Sequence, residues 1–360
     1  MGENMEKNKK RLYYITSNIA PFRVDLLDEL AQYFEKVALC YYEEIEKGVN
    51  PLYVKKRPEN VELICLKGLS TKQAFKELCN ADYLIFDGYT GKEKIMMILA
   101  CIIKKKSYMI SIDGIIPKQK KDNMIKKTIK SILIGRATIV FSTNKRTDEI
   151  IKENAPKVYI YRHIFSTLRR DNIEKNGSDH TEILSAYGIR IDKKRILFVG
   201  KFLITKGVRE FVECSKKMDY EFIMVGGTKD ELKKHNLEIG ENIKVIPFLE
   251  KENILKLMSS SDVFVLPTYT DVWGLVIIEA LMSKIPIVTT DLCNAGKEFI
   301  SEGKNGYIVP IMDSDAIYDA IQKALELDRA LVGKYNLCLM GDYTIENSAY
   351  GMQKEIYEKG

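Results

Sequence analysis

The sequence predicts an α/β fold made of two doubly wound, Rossmann-like domains that face each other across a cleft. Its 360 residues are enough for two domains of ordinary size. Short apolar runs rich in β-branched and aromatic residues alternate with segments of helical periodicity, which is typical of βαβ units and a parallel sheet. This alternation stops at a polar stretch and then begins again, so we expect two such sheets in series.

The first half contains six predicted strands with helical segments between them. These strands are Arg11–Thr16, Lys36–Tyr42, Asn60–Cys65, Asp82–Gly88, Ser107–Asp113 and Ala137–Ser142. The apolar run Ile95–Ile103 is too short to span a bilayer and ends at three lysines, so we expect a buried or surface-docked helix there. We place the N-terminal domain at residues 1–168.

A polar stretch without periodicity, Arg169–His180, predicts the crossing between the domains, and we assign residues 169–190 to the linker. Six more predicted strands follow: Arg195–Gly200, Glu221–Gly226, Ile243–Pro247, Asp262–Leu266, Pro286–Thr290 and Gly306–Pro310. The C-terminal domain is placed at residues 191–342, and a helix over 343–360 is expected to return toward the N-terminal domain. Since open parallel sheets bind ligands outside the carboxyl ends of their strands, the cleft is the expected site.

The composition excludes several classes of protein. Hydrophobic residues make up 46% and charged residues 29% of the chain, as in folded globular proteins. No apolar run approaches the ~18 to 20 residues of a membrane span, and no secretory signal is recognisable, so we expect a cytoplasmic protein. The seven cysteines form no C-x-x-C pair and the three histidines lack metal-ligand spacing. We therefore expect neither a metal nor another cofactor.

The net charge of +6 is unevenly placed along the chain. The lysines of residues 118–130 lie beside Ile125, Ile129, Ile132 and Leu133, which share roughly one helical face. Two interpretations stay open: a solvated surface helix, or a patch that rests on an anionic membrane surface. Nucleic acid is not expected as a partner, because the stretch lacks interleaved aromatic residues and no nucleic-acid motif accompanies it.

The first group of candidate site residues follows the predicted strand that ends at Leu266. Asp271 lies in a loop, Gly274 at the start of the next helix, and Glu279 eight residues after Asp271. Glycine permits close backbone approach, and free amides at a helix N-terminus favour a phosphate. A carboxylate can accept two hydrogen bonds from sugar hydroxyls. The structural alternatives are that Asp271 caps the helix and that Glu279 is an ordinary helix residue.

The second group lies in the segment GKFLITKG, directly after the first strand of the second half. Gly200, Lys201, Lys206 and Gly207 flank a loop that leads into a helix. Positive charge at the end of a strand would neutralise a diphosphate leaving group. Surface lysines are common, so this segment alone is a weak signal.

Together these segments resemble the retaining glycosyltransferases of family 4, which have the GT-B fold. That family has a G-[RK]-x4-K-G segment after the first strand of its donor domain, and GKFLITKG matches it. Its E-x7-E motif, usually written E-G-F-G-L-x-x-x-E-A, is matched by DVWGLVIIEA. The resemblance covers most of Leu197–Leu325, and in the N-terminal half it is loose, through Ser17–Leu30.

The resemblance implies roles for individual residues in donor binding. Lys201 and Lys206 would lie at the donor diphosphate and Glu279 at the ribose, whereas Gly274 and Leu275 would supply backbone contacts near the phosphates.

Four further positions complete the implied site. Gly200 belongs to the glycine-lysine segment, and Trp273 stands where the family usually has phenylalanine. Asp271 replaces the first glutamate of the pair and is one methylene shorter. Asp113 is the nearest match to a histidine that the family often has in its N-terminal domain. Asp271, Glu279 and Asp113 are thus the candidate catalytic residues.

The implied activity is a retaining, metal-independent hexosyl transfer from a nucleotide diphosphate sugar, with UDP favoured over GDP. The acceptor is expected to be a saccharide carried on a lipid, in surface polysaccharide or glycan assembly. In such enzymes the sugar is transferred on the face that the diphosphate leaves, and a donor phosphate oxygen helps deprotonate the acceptor. The protein then mainly positions its substrates and stabilises charge.

Three other functions compete with this one. A GT-B-like nucleotide-sugar 2-epimerase would use more acidic and histidine residues around the sugar than the sequence offers. A nicotinamide oxidoreductase would need G-x-G-x-x-G after a first strand, which neither half has. A non-catalytic carbohydrate-binding role stays open.

Two smaller motifs are assigned to structure. Asp313-Ser314-Asp315 spells the D-x-D that binds metal in another glycosyltransferase fold, but it precedes a predicted helix, where a capping aspartate is expected. His163 ends the first half and is interpreted as a structural histidine, with substrate contact as the alternative.

Overall fold

The computed structural model describes residues 8–44, 58–115, 124–170 and 181–360, and the chain divides into two compact units. The first unit comprises Met1–Thr167 together with Thr344–Gly360, and the second comprises Leu168–Tyr343. The chain therefore returns to the first unit after the second is complete. Within the described ranges, no helix is both long enough and apolar enough to cross a membrane.

The described residues of the first unit form one parallel sheet of seven strands, in the spatial order β3-β2-β1-β4-β5-β6-β7. The strands are β1 (Asn8–Asn18), β2 (Phe34–Glu43), β3 (Val61–Cys65), β4 (Tyr83–Asp87), β5 (Met109–Ile112), β6 (Val140–Ser142) and β7 (Ile160–Arg162). The helices are α1 (Pro21–Leu30), α2 (Thr71–Leu78), α3 (Lys92–Lys104), α4 (Met124–Gly135), α5 (Lys145–Asn154) and the C-terminal α14 (Ile345–Lys359).

Both faces of this first sheet are buried, because the side chains of its strands alternate between two apolar clusters. On β1, Tyr13 and Ile15 belong to one cluster, and Leu12 and Tyr14 belong to the other. The C-terminal helix α14 supplies three fully buried side chains to the second cluster: Ala349, Met352 and Ile356. Burial on both faces explains why the strands are nearly continuous apolar runs rather than alternating ones.

The described residues of the second unit form a parallel sheet of six strands, in the order β10-β9-β8-β11-β12-β13. The strands are β8 (Arg195–Val199), β9 (Glu221–Val225), β10 (Ile243–Ile246), β11 (Val263–Leu266), β12 (Ile287–Thr290) and β13 (Gly306–Val309). The helices are α6 (Thr181–Ala186), α7 (Val208–Ser215), α8 (Lys229–Lys234), α9 (Lys251–Ser259), α10 (Leu275–Met282), α11 (Asn294–Phe299), α12 (Ser314–Leu325) and α13 (Arg329–Met340), and a single 3₁₀ turn covers Ile204–Lys206.

The centre of the second sheet is the point where its strand order reverses. Strands β8 and β11 lie side by side there, with β9 and β10 on one flank and β12 and β13 on the other. At such a reversal the loops leaving the two central strands diverge and open a crevice for a ligand. Both groups of candidate site residues in the second half lie on these two loops, after Val199 and after Leu266.

The predicted fold class and all twelve predicted strands are confirmed. Strand β7 was not predicted, and its three residues Ile160–Arg162 carry no buried apolar side chain. The predicted C-terminal helix forms as α14 and lies within the first unit. Residues 171–180 of the predicted linker and 118–123 of the basic segment lie outside the described residues.

Candidate active site

The loop after β8 packs closely against the loop after β11, and a glycine makes this contact possible. Gly207 follows the 3₁₀ turn at a φ of +75°, and a Cβ there would lie 2.0 Å from the carbonyl oxygen of Pro267. Two hydrogen bonds continue the contact, since the Thr268 Oγ1 and the Tyr269 amide both donate to the carbonyl oxygen of Thr205, at 3.1 and 2.8 Å. Residues far apart in sequence are thereby held in register.

This arrangement brings Lys206 to Asp271. The Lys206 Nζ donates to the Asp271 Oδ2 at 2.6 Å, and both side chains are mostly but not completely buried. The aspartate therefore does not cap α10, which was the structural alternative for this residue. The pair joins the two segments that the sequence singled out independently.

Helix α10 begins directly beside this ion pair. Its N-terminal residue Gly274 has a φ of +94°, and no side chain caps the helix. A Cβ on Gly274 would lie 2.7 Å from the Cys293 Sγ and 3.7 Å from the carboxyl carbon of Asp271. Glycine is thus required by both backbone conformation and space. The uncapped end directs partial positive charge toward the neighbourhood of Lys206.

The peptide from Asp271 to Trp273 is held by the segment 292–295. The Asp271 amide donates to the Leu292 carbonyl oxygen at 3.0 Å, and the Ala295 amide donates to the Trp273 carbonyl oxygen at 2.7 Å. The indole of Trp273 is only 3% exposed and packs edge-on against Phe299 at a centroid distance of 5.8 Å. Trp273 therefore anchors the loop in the core of the unit, and its role at the donor stays a prediction.

Glu279 lies one turn and a half into α10. Its Oε1 is 3.8 Å from the Nζ of Lys251, the first residue of α9, and the side chain is largely buried. Lys201 is exposed at the end of β8. Gly200 packs beside Gly226, where a Cβ would lie 2.5 Å from the Gly200 carbonyl oxygen. Gly226 therefore allows the ends of β8 and β9 to approach closely.

Asp113 belongs to a cluster in the first unit, at the carboxyl ends of β1, β4 and β5. The Arg23 Nη2 donates to both carboxylate oxygens of Asp113, at 2.8 and 2.9 Å, and to the Asp87 Oδ1 at 3.0 Å. Thr16 donates to the other oxygen of Asp87 at 2.8 Å. Burial raises the pKa of Asp113 while Arg23 opposes that shift.

The guanidinium of Arg23 is completely buried beside aromatic rings. Its Cζ lies 4.8 Å from the ring centroid of Tyr14, 5.2 Å from that of Phe22 and 5.6 Å from that of Phe165. Two carboxylates and three ring faces therefore compensate for the water that the cation has lost. The sequence offered no signal for Arg23, since a buried arginine cannot be told from a surface one without knowing its partners.

His163 is also buried in the first unit. Its Nδ1 donates to the Ile164 carbonyl oxygen at 3.1 Å, and its ring packs edge-on against Phe141 at 6.1 Å. Burial and, to a smaller extent, the charge of Arg23 lower the pKa of His163 to about 3. The imidazole is therefore neutral at physiological pH, consistent with its interpretation as a structural residue.

The D-x-D motif is a helix cap. The Asp313 Oδ1 accepts the Ala316 amide at 2.8 Å and begins α12, while Asp315 forms an ion pair with Lys217. Within the described ranges, no group of three or more His, Cys, Asp or Glu side chains is arranged to hold a metal ion.

Comparison with known proteins relates this geometry to a family. Residues 179–336 match the family model described as glycosyl transferases group 1, and the match contains both loops with Lys206, Asp271 and Glu279. The second unit is therefore similar to the group 1 glycosyl transferases.

The relatives that match this chain are distant. The chain is 24% identical to alpha-D-kanosaminyltransferase of Streptomyces kanamyceticus, over 53% of its own length and 51% of that protein. It is 22% identical to N-acetyl-alpha-D-glucosaminyl L-malate synthase of Bacillus anthracis, over 89% of the chain and 82% of that protein. The chain thus matches about half the length of the first relative and most of the second.

Solved structures show that the chain has the GT-B fold. The Anabaena HepE protein in complex with UDP superposes with a TM-score of 0.75 at 14% identity, over 97% of this chain and 100% of that one.

Proposed function

We propose that this protein is a glycosyltransferase that transfers a hexose from a UDP-sugar to a saccharide acceptor, with retention of anomeric configuration and without a metal. One observation carries the proposal: Lys206 and Asp271 form an ion pair at 2.6 Å beside the uncapped N-terminus of α10. A cation, a carboxylate and free helix amides in one place provide for a diphosphate and a sugar together.

Lys206 is proposed to bind the diphosphate while it stays on Asp271. An ammonium has three N–H donors, and the bond to the Asp271 Oδ2 uses one of them. The other two can serve phosphate oxygens, so the carboxylate orients the ammonium rather than blocking it. Lys201 and the first amides of α10, beginning at Leu275, add positive potential where negative charge develops on the leaving group.

The two carboxylates are proposed to recognise hydroxyl groups. Asp271 uses Oδ2 for Lys206, which leaves Oδ1 for a hydroxyl of the donor sugar. Glu279 lies four residues after Leu275, about 6 Å along α10 at a rise of 1.5 Å per residue. It is therefore set back from the end of the helix at which the diphosphate is proposed to bind, and we assign it to the ribose.

The proposed chemistry needs no strong protein base. A phosphate oxygen of the donor takes the proton of the acceptor hydroxyl as the bond from the anomeric carbon to the diphosphate breaks and the bond to the acceptor oxygen forms on the same face. The protein contributes positioning and stabilisation of the departing diphosphate. Asp113 is proposed to contact the reacting sugar from the first unit, with Arg23 fixing its orientation.

The choice of UDP is supported by HepE, whose structures contain UDP and UDP-glucose. We propose a lipid-linked saccharide as acceptor, in the assembly of a surface polysaccharide or another glycan. A cytoplasmic location, where nucleotide sugars are available, is part of the same proposal.

The proposal is tested by calorimetric titration of the protein with UDP- and GDP-sugars, with and without EDTA. We expect one UDP-sugar to bind equally well in both conditions and to lose at least about tenfold in affinity in Lys206→Ala and in Glu279→Ala, as expected for loss of charge-assisted hydrogen bonds. Lys216→Ala is the matched control, because Lys216 is an exposed lysine of the same unit.

Two outcomes contradict the proposal. Absence of binding to every nucleotide sugar excludes a transferase, and equal losses in Lys206→Ala and Lys216→Ala place the donor elsewhere. Retention is checked separately, from the anomeric proton coupling of the glycosidic product in an NMR spectrum.

A further inference from the structure

Two helices of the first unit, α3 and α4, contact each other and expose seven large apolar side chains. These residues, which we call the α3–α4 face, are Met96, Leu99, Ile103, Met124, Ile125, Ile129 and Ile132. On α3 the three residues are spaced by three and four, and on α4 the three isoleucines are spaced by four and three. Such spacing aligns them along one side of each helix.

The exposure on these helices is large. Ile103 is 75%, Ile125 71% and Met124 84% exposed, whereas side chains of this type are usually buried in a folded chain. Helix α4 buries only Leu133 and Ile134, both at its C-terminal end. Its first two turns therefore contain no fully buried apolar side chain.

The charge on these two helices is mainly positive. Helices α3 and α4 carry six lysines and a single glutamate, Glu93. Lys94 is buried and donates to the Asp87 carbonyl oxygen, while none of the other five lysines is buried. Lys105, Lys106 and Arg136 extend the positive charge beyond the helix ends.

We propose that the α3–α4 face docks this protein on an anionic lipid bilayer. Isoleucine and methionine side chains enter the boundary between headgroups and acyl chains, and the lysines extend their ammonium groups to lipid phosphates. One partner therefore suits both the exposed apolar side chains and the positive charge: a surface with negative headgroups outside and an apolar interior beneath them.

A second copy of the chain is a poorer occupant of the α3–α4 face. A two-fold contact places the same patch on both partners, so five surface lysines would meet five others with one glutamate on each side. Repulsion between these like charges opposes association of two copies, whereas an anionic bilayer attracts the lysines.

This docking goes beyond the proposed transfer reaction, because it needs neither donor nor acceptor. It is tested by co-sedimentation of the full chain with phosphatidylcholine vesicles that contain or lack about 30 mol% phosphatidylglycerol. We expect binding to the anionic vesicles only, weakened as salt rises from about 0.05 to about 0.5 M because salt screens the lysines.

Variants separate the two contributions to binding. We expect Ile103→Gln and Ile125→Gln to weaken the partition to anionic vesicles by about tenfold each. Lys104→Gln and Lys127→Gln are expected to weaken it by about fivefold each and to reduce its salt dependence. The matched controls are Leu331→Gln, at a residue 65% exposed on the second unit, and Lys216→Gln, and neither is expected to change the partition.

Three results overturn the inference: no binding of the wild-type chain to anionic vesicles, equal losses in the variants and their controls, or an oligomer in sedimentation velocity that Ile125→Gln converts to monomer. The last result assigns the α3–α4 face to a second copy of the chain. UDP-sugar titration of the same variants keeps the two proposals distinguishable, since donor binding is expected to be unchanged.

Discussion

At the residue scale, the conformation of the loop after β11 depends on Gly274 having no side chain. Gly274→Ala places a Cβ against the Cys293 Sγ at a φ of +94°. We expect a loss of about 2 to 3 kcal/mol in the free energy of unfolding, since strain and overpacking act together. Donor affinity should fall with it, because the start of α10 moves. Urea denaturation and calorimetric titration measure the two effects.

Gly303→Ala is the control for this substitution. Gly303 has a φ of +74°, similar to the strained conformation of Gly274, but a Cβ there would meet no atom within 4 Å. We expect a loss of about 1 kcal/mol and unchanged donor affinity. Equal losses at both positions would show that backbone conformation alone, without the contact to Cys293, accounts for the glycine.

Arg23 is the residue of the first unit whose removal should be most costly. Arg23→Met leaves Asp87 and Asp113 without the cation that compensates for their burial, so we expect a loss of about 3 to 5 kcal/mol in the free energy of unfolding. Chemical denaturation at neutral pH measures it. Arg162→Met, which breaks a partly exposed pair with Asp148, is expected to cost less than about 1 kcal/mol.

A double variant separates the contributions of charge and packing at Arg23. Adding Asp113→Asn to Arg23→Met removes one uncompensated charge and should recover part of the stability. If the double variant is no more stable than Arg23→Met, the loss comes from packing against Tyr14, Phe22 and Phe165 rather than from charge.

His163 predicts a dependence of stability on pH. The folded protein binds its proton with a pKa of about 3 and the unfolded chain near 6.5, so the unfolded chain binds more protons between these values. The contribution of neutral His163 to the free energy of unfolding is fully present above about pH 6.5 and decreases as the pH falls below that value. Between pH 6.5 and about 5 we expect a loss of about 1.5 kcal/mol.

The reference for this pH effect is His163→Phe, which keeps an aromatic ring between Phe141 and Phe165. The difference in unfolding free energy between wild type and variant should shrink or change sign as pH falls toward 5. Parallel pH profiles of the two proteins would show that His163 binds its proton with the same pKa in the folded protein and in the unfolded chain.

Residue identities along the sequence predicted only part of these sites. Lys206 and Asp271 were recognised because their spacing to neighbouring glycines is distinctive, but their ion pair depends on the contact between two loops. Trp273 was assigned to the donor by position, and its burial against Phe299 depends on a helix that follows later in the chain. Arg23 and Asp87 were missed, because only the folded sheet brings their charges together.

At the scale of elements, the C-terminal helix α14 is tied to the first unit by a few buried side chains. Ile356→Ala removes a fully buried side chain of the apolar cluster that also contains Leu12 and Phe34, so we expect a loss of about 3 kcal/mol. Thermal or urea unfolding measures it. Tyr350→Ala lies on the same helix with its side chain 49% exposed, and its effect should stay within about 0.5 kcal/mol.

Elements were predictable where they are buried on both sides. Most strands of both sheets are nearly continuous apolar runs because both faces are buried. The edge strands β3 and β10 are less completely buried, and each contains one charged residue. Strand β7 escaped prediction because it is three residues long at the edge of the sheet and none of its side chains is buried. Its existence follows from pairing with β6, which local sequence does not encode.

At the scale of the whole molecule, the two units should respond differently to the donor. Lys206, Asp271 and Glu279 all lie in Leu168–Tyr343, so saturation with the UDP-sugar found by titration should stabilise that unit directly. At about 100 times the dissociation constant we expect about 2.7 kcal/mol. Hydrogen exchange followed by mass spectrometry should show the largest gain of protection in the loops at residues 200–207 and 267–275.

The reference region for that experiment is α14 together with α1, in the first unit. Protection that rises only there would contradict the placement of the donor in the second unit. The division into two sheets was predictable from the sequence, because the pattern of strands stops and restarts. The sequence predicted that the last helix returns to the first unit, because of its position at the end of the chain. It did not predict the contacts that hold the helix there.

The discontinuity of the first unit has a consequence for synthesis on the ribosome. Thr344–Gly360 emerges only after all of Leu168–Tyr343 has been translated, which takes roughly 9 to 35 s at about 5 to 20 residues per second. During that interval the nascent first unit lacks Ala349, Met352 and Ile356, which belong to the same apolar cluster as Leu12 and Tyr14, while the second unit has its complete sequence for folding. The order of translation thus leaves a patch of the earlier-made sheet available to chaperones until the final helix arrives.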